Sequence, residues 1–240
     1  TPAPEPTESA SPEPTETASP TPVPAVTVWK TAELNPDGDT IVVRGSGFVP
    51  SPPATSGTRP PLSGVFTGAY IVVGAFPDQW QPSAGAPSSA RVQTAASRWG
   101  VHADSVATIG GPTRGAAVIE QDGTFEVTLD IAEDETFEGN WGVYTYAGGG
   151  AVYAPFETFT PISFERPSIE TSVVSVDAEA GATVSITGSG FGDVTGAYAA
   201  IIEKGTESQV TSGGGYVAFG YWMTPGAIVD GAFEKTIVAP

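Results

Sequence analysis

Trp80, Arg91, Arg98, Trp99, His102 and Arg114 gather aromatic rings and cationic groups into one stretch of an otherwise acidic chain. Aromatic and arginine side chains are favoured where a few residues carry most of a binding energy, so this stretch is a candidate for holding a protein, a glycan or a heme. His102 is the only histidine. Together with Tyr70, Tyr144, Tyr146 or Tyr153 it offers residue types that serve as axial ligands of a heme iron. A plainer alternative stands beside this one: Trp80 and Trp99 pack a helix across one open end of a β-domain, and the arginines neutralise nearby acids.

Other constellations are weaker. Asp130, Glu133, Asp134, Glu135 and Glu138 form an acidic run of the kind from which calcium takes oxygen ligands, but without the alternating aspartate spacing of a specific loop. A solvated acidic loop is the expectation there, and a turn at Asn35-Pro36-Asp37-Gly38-Asp39. Ser88, Ser89, His102 and Asp104 include the residue types of a hydrolase triad, yet no Gly-x-Ser-x-Gly elbow frames a serine. Gly148-Gly149-Gly150 and Gly213-Gly214-Gly215 lack the following Lys-Ser/Thr of a phosphate loop. The expectation is a protein that is not an enzyme.

Composition narrows the partners. With 27 acidic against nine basic residues the net charge is −18, which repels nucleic-acid phosphate and anionic lipid heads. There is no cysteine, hence no disulfide, thiolate metal site or thiol catalysis within these residues. No apolar run approaches the ~20 residues that span a bilayer. Thirty glycines and 23 prolines with 15% charged residues describe a turn-rich, β-dominated chain.

The elements that must position these residues are written twice. Gly38-Asp39-Thr40-Ile41-Val42-Val43-Arg44-Gly45-Ser46-Gly47-Phe48 returns as Gly181-Ala182-Thr183-Val184-Ser185-Ile186-Thr187-Gly188-Ser189-Gly190-Phe191. Thr67-Gly68-Ala69-Tyr70 returns as Thr195-Gly196-Ala197-Tyr198, and Asp122-Gly123-Thr124-Phe125-Glu126 as Asp230-Gly231-Ala232-Phe233-Glu234. Ordered anchors of this kind mark a tandem repeat. Their separation shrinks along the chain, so the first copy carries two insertions, at about 49–63 and 74–115.

Strands are expected at Val26–Trp29, Thr40–Arg44, Tyr70–Val73, Thr124–Ile131, Gly142–Tyr146 and Glu157–Phe164. Alternation is cleanest in Phe125-Glu126-Val127-Thr128-Leu129-Asp130-Ile131. Val92, Ala95, Ala96 and Trp99 recur at helical spacing, which predicts a helix over Ser89–Trp99 inside the second insertion. The fold expected is all-β: tandem Ig-like antiparallel sandwiches at 25–166 and 167–240, the first with a helix-containing insertion. They stand behind a disordered Pro/Thr/Ser/Glu-rich stalk at 1–24, whose composition cannot bury enough apolar surface to order itself. In the first copy about 40 residues with two strands follow the Asp-Gly-x-Phe anchor; in the second only a handful do. The second sandwich is therefore expected to be incomplete, either cut short where this sequence ends or a shortened variant. The chain as a whole reads as a processed or excised piece, with any leader and anchor outside it.

The phrases Gly45-Ser46-Gly47-Phe48, Gly85-Ala86-Pro87-Ser88-Ser89-Ala90-Arg91, Trp141-Gly142-Val143-Tyr144-Thr145-Tyr146 and Glu157-Thr158-Phe159-Thr160-Pro161 resemble Ig-like repeats of actinobacterial surface proteins. Those repeats accompany heme-transport-associated (HtaA-type) domains. The resemblance implies a secreted or cell-wall-associated module of a Gram-positive bacterium, in a heme-uptake protein, that spaces or presents a neighbouring receptor domain. The family's heme-binding domain opens on a Trp-Gly followed by a Ser-Phe. Here Trp99-Gly100-Val101 is followed by His102-Ala103-Asp104, so no heme ligand is carried over. A fold-level similarity also links the Thr-Val-x-Val-x-Gly-x-Gly strand to the apoproteins of enediyne chromoproteins, which carry disulfides that this chain lacks. The alternative to a spacing role is a ligand-binding or adhesive module that acts through the aromatic and basic insertion.

Overall fold

The computed structural model describes residues 22–192, 196–202, 204–206 and 217–239. Most of the expected stalk and the Gly213–Gly215 run lie outside them. Strands dominate, and the described residues contain no α-helix. No described helix is long and apolar enough to cross a membrane.

In chain order the first repeat contributes β1 (Ala25–Val28), β2 (Asp39–Ser46), β3 (Ala69–Phe76), β4 (Thr94–Val101), β5 (Ala116–Val118), β6 (Phe125–Ile131), β7 (Asn140–Ala147) and β8 (Thr158–Pro161). They form two sheets. One has the order β1-β2-β6, the other β5-β4-β3-β7-β8, with only the β4–β5 pair parallel. Strict alternation in β6 buries Phe125, Val127, Leu129 and Ile131 and leaves Glu126, Thr128 and Asp130 in water. Ile41 and Val43 of β2, Ile71 and Val73 of β3 and Val143 of β7 join those residues in one core, so the two sheets share a single apolar layer.

The second repeat contributes β9 (Ser168–Asp177), β10 (Gly181–Ser189), β11 (Ala197–Ile202), β12 (Val217–Met223) and β13 (Phe233–Ala239). β10 lies between β9 and β13, as β2 lies between β1 and β6. β11 pairs with β12, as β3 pairs with β4.

The repeated phrases turn out to be one packing unit. Gly45 stands opposite Phe125, and a Cβ added there would sit 2.1 Å from Phe125 Cε1. Gly188 stands opposite Phe233 with the corresponding gap at 2.2 Å. The glycine is there so that the ring can cross its strand. Phe48 then meets Phe125 at a centroid distance of 5.1 Å, and Phe191 meets Phe233 at 5.2 Å. In both copies the phenylalanine N–H donates to the turn glycine, Phe48 to Gly123 and Phe191 to Gly231.

The expected helix over Ser89–Trp99 is not formed. Ser88–Arg91 make a short 3-10 turn, and Thr94–Val101 are strand β4. Helical and alternating patterns coincide over so short an alanine-rich run, and pairing to the edge of β3 decides between them. The segment 74–115 is therefore not wholly an insertion. Tyr70 pairs with Trp99, and Tyr198 pairs with Trp222, with ring centroids 5.1 and 5.5 Å apart. β4 thus has a counterpart in β12. The first segment read as an insertion, 49–63, is irregular as expected, crossed only by isolated bridges at Ser56–Phe66 and Gly57–Ser63.

Candidate functional site

On the face of the larger sheet turned away from the shared core, alternation brings out aromatic side chains. β3 presents Tyr70, β7 presents Tyr144 and Tyr146, and β4 presents Trp99. Tyr70 is paired across the strands with both Trp99 and Tyr146. Its ring lies 5.1 Å from Trp99 and 5.3 Å from Tyr146. Trp99 is fixed by its Nε1–H, which donates to the Thr67 carbonyl at 2.8 Å.

The loop after β3 folds back over this face. Trp80, 4% exposed, packs edge-on against Tyr144 at 4.9 Å and beside Phe76 at 6.3 Å. Two contacts hold the loop down. Ser83 donates through its N–H and Oγ to the Glu157 carboxylate, at 2.8 and 2.5 Å, and the Arg91 guanidinium donates to the Trp80 carbonyl.

Between the loop and the strand ends lies a cavity of about 510 Å³, with Arg59, Tyr70, Tyr146, Ser88, Arg91 and Val152 in its wall. Arg59 reaches it from the Pro-rich 49–63 segment, anchored where its N–H and that of Thr58 donate to Gly149 O. The Arg91 guanidinium stands 5.3 Å from the Tyr146 ring centroid, a cation–π arrangement. Burial pushes the Tyr70 phenol up, against a lowering contribution from the Gly149 backbone and the Arg59 charge. Burial likewise pushes Tyr146 up, with the Arg91 charge opposing it. Both phenols are neutral at physiological pH and can donate or accept hydrogen bonds.

Two arginines share the wall of this cavity. Lys30, Arg44 and Arg166 are paired with Asp39, Glu126 and Glu133. Neither Arg59 nor Arg91 has a carboxylate partner among the described residues. Two guanidinium groups without a carboxylate partner among the described residues thus share a wall with a pair of phenols in a chain of net charge −18.

Of the residues singled out in the sequence, Trp80, Arg91 and Trp99 meet here, Arg91 in the wall and the two tryptophans as supports. Arg98 instead bonds the carbonyls of Ser97 and of Thr128 on β6. His102 packs on Phe66 at 4.6 Å, with Nε2 buried and without a hydrogen-bond partner among the described residues. The rings of Phe66 and Phe156 stand between it and Tyr153. Arg114 is exposed, its stem against Gly110. Arg98, His102 and Arg114 therefore do not join the cavity.

No Ser–His hydrogen bond is found among the described residues; His102 Nε2 is buried without a partner there, and the Asp104 carboxylate accepts from Ser105. The acidic run is spent locally: Asp130 accepts from Thr40, Asp134 closes a turn on Thr136, and Glu133 holds Arg166. No group of metal-ligating side chains converges among the described residues.

Sequence reasoning missed Arg59 and Ser88 as wall residues and read the tyrosines as core or heme ligands. The alternation in Ala69-Tyr70-Ile71 and in Val143-Tyr144-Thr145-Tyr146 carried the signal for an outward aromatic row. Nothing local marked Arg59. Compared with known proteins, the chain matches no protein-family model and shows no significant match to a curated protein sequence.

Proposed function

We propose that this chain is a non-enzymatic surface module made of two tandem Ig-like sandwiches, residues 25–166 and 167–240, that binds a ligand in the cavity of the first. The observation that carries the reading is the pair Arg59 and Arg91, which share a wall with Tyr70 and Tyr146 and have no carboxylate partner among the described residues of a strongly acidic chain. Loops on a rigid sheet are where recognition is commonly placed, and this wall combines aromatic faces with charged groups that orient a ligand. In the same reading the protein resides at the cell surface or wall of a Gram-positive bacterium.

Glycan and peptide arrays test the binding role, with Arg59→Gln/Arg91→Gln as the paired control. Retention by the wild type that the double variant loses supports it. Identical patterns for the two proteins, or no retention at all, contradict it. Native protein found in the cytoplasm on fractionation contradicts the surface assignment.

A second reading is a module that only spaces or presents a neighbouring receptor domain, as in heme uptake. The doubling of strand pairing, β2–β6 with β3–β4 and β10–β13 with β11–β12, favours it. Binding of heme is instead the most specific version of the binding role. It predicts a Soret shift on titration that His102→Ala abolishes.

A further inference from the structure

We infer that the ligand of the Arg59–Arg91 cavity is a carboxylate-bearing sugar unit of a glycan, an inference that rests on the binding role proposed above. Its carboxylate is taken by the two guanidinium groups, and its ring lies against Tyr70 and Tyr146. Guanidinium groups that lack an internal acid are matched by a planar oxyanion, which they bind through paired, charge-assisted hydrogen bonds. A neutral ligand supplies no countercharge to either.

The rings and hydroxyls define the rest of the ligand. Tyr70 and Tyr146 line the wall side by side, their rings 5.3 Å apart and their phenols neutral, and Ser88 lines it too. A sugar ring presents axial C–H bonds to an aromatic face and hydroxyls around its rim, which suits both features. A flat aromatic acid would use the faces and leave the hydroxyls idle. An extended peptide fits poorly for a backbone reason. The cavity lies over β3 and β7, and β3 is already paired on both edges by β4 and β7, as β7 is by β3 and β8. No free strand edge is offered there for main-chain pairing. A volume of about 510 Å³ falls within the range of small-ligand sites.

Calorimetry on the whole chain tests this with oligosaccharides containing galacturonic, glucuronic or N-acetylneuraminic acid, against neutral galactose oligomers of equal length and inorganic phosphate. At least one acidic oligosaccharide is expected to bind about tenfold or more tighter than the neutral one, and to weaken as salt is raised. Arg59→Gln is expected to reduce that affinity about tenfold while leaving the melting temperature unchanged, and Arg59→Lys to restore part of it. Arg91→Gln tests the second cation; because Arg91 also holds the Trp80 carbonyl, its melting curve is read alongside. Equal affinity for acidic and neutral sugars overturns the inference, as does acidic-sugar binding that Arg59→Gln leaves intact. Phosphate that binds as tightly, with the same arginine dependence, reduces the cavity to a bare anion site and also overturns it. If no acidic sugar binds while the arrays yield another arginine-dependent ligand, this inference fails and the binding role stands. If nothing depends on the arginines, both fail.

Discussion

The contact that recurs in both repeats is a glycine facing a phenylalanine. At Gly45 a methyl group would intrude to 2.1 Å of the Phe125 ring, closer than any real carbon contact. Gly45→Ala is therefore expected to destabilise the first repeat by roughly 1–3 kcal/mol through overpacking. If the ring is the cause, the same substitution in a Phe125→Leu background costs less, with a coupling above ~0.5 kcal/mol in a denaturation cycle. Additive costs would place the cause in the backbone instead. The buried phenols make a separate prediction. Burial raises Tyr70 and Tyr146 and pushes Tyr144 to about 12. A phenol whose folded pKa exceeds its unfolded value of about 10 stabilises the fold below that pH, and the contribution is lost as pH rises through the folded value. Stability is thus expected to hold through neutral pH and to fall between about 10 and 12. Ultraviolet titration of phenolate absorbance should show a last step near 12 that Tyr144→Phe removes.

At the scale of elements, β4 carries the consequence of being strand rather than helix. Trp99 packs against Tyr70, bonds Thr67 and braces one side of the cavity. Trp99→Ala is expected to cost roughly 2–4 kcal/mol, somewhat below the usual figure for a fully buried tryptophan. Its counterpart Trp222 is 47% exposed over a Tyr198 that is 64% exposed, so Trp222→Ala is expected to cost less than about 2 kcal/mol. Equal losses in chemical denaturation would contradict the difference in burial between the two tryptophans. The strands with strong alternation or repeated anchors were legible: β2, β3, β6 and β7 fall where the residues place them. β4 was not, because Val92, Ala95, Ala96 and Trp99 fit a helix locally, while the decisive hydrogen bonds come from β3, distant in sequence. β5 was missed for the same reason, being three residues long and parallel to β4. The site was half legible. Arg91, Trp80 and Trp99 could be picked by type, but a cavity wall that also draws on Arg59 and Tyr146 exists only once the sheet is assembled.

For the whole molecule, the two repeats differ in how much apolar surface their described residues cover. The first buries side chains from both of its sheets in one layer, with Leu34, Ile41, Ile71, Leu129, Val143 and Phe156 fully enclosed. Among the described residues of the second, Ile186, Ala199, Met223, Phe233 and Ile237 form the buried cluster. Ile169, Val173, Val174 and Val176 of β9 and Val238 of β13 remain exposed. β11, whose counterpart β3 is paired on both edges, is paired only with β12 among the described residues. Stability scales with apolar area removed from water, so the second repeat is expected to unfold first, at lower denaturant and with the smaller dependence on denaturant concentration. The tryptophans provide the assay. Trp29, Trp80, Trp99 and Trp141 belong to the first repeat and Trp222 alone to the second. Fluorescence is expected to change in two steps, and Trp222→Phe should remove the earlier step while the later one keeps its midpoint. Amide exchange should separate the same way, with β10 and β13 opening at lower free energy than β2 and β6. A single transition, identical by fluorescence in the wild type and in Trp222→Phe and by exchange at β2 and β10, would show that the repeats fold as one unit and that the sparse core of the second is supported by the first.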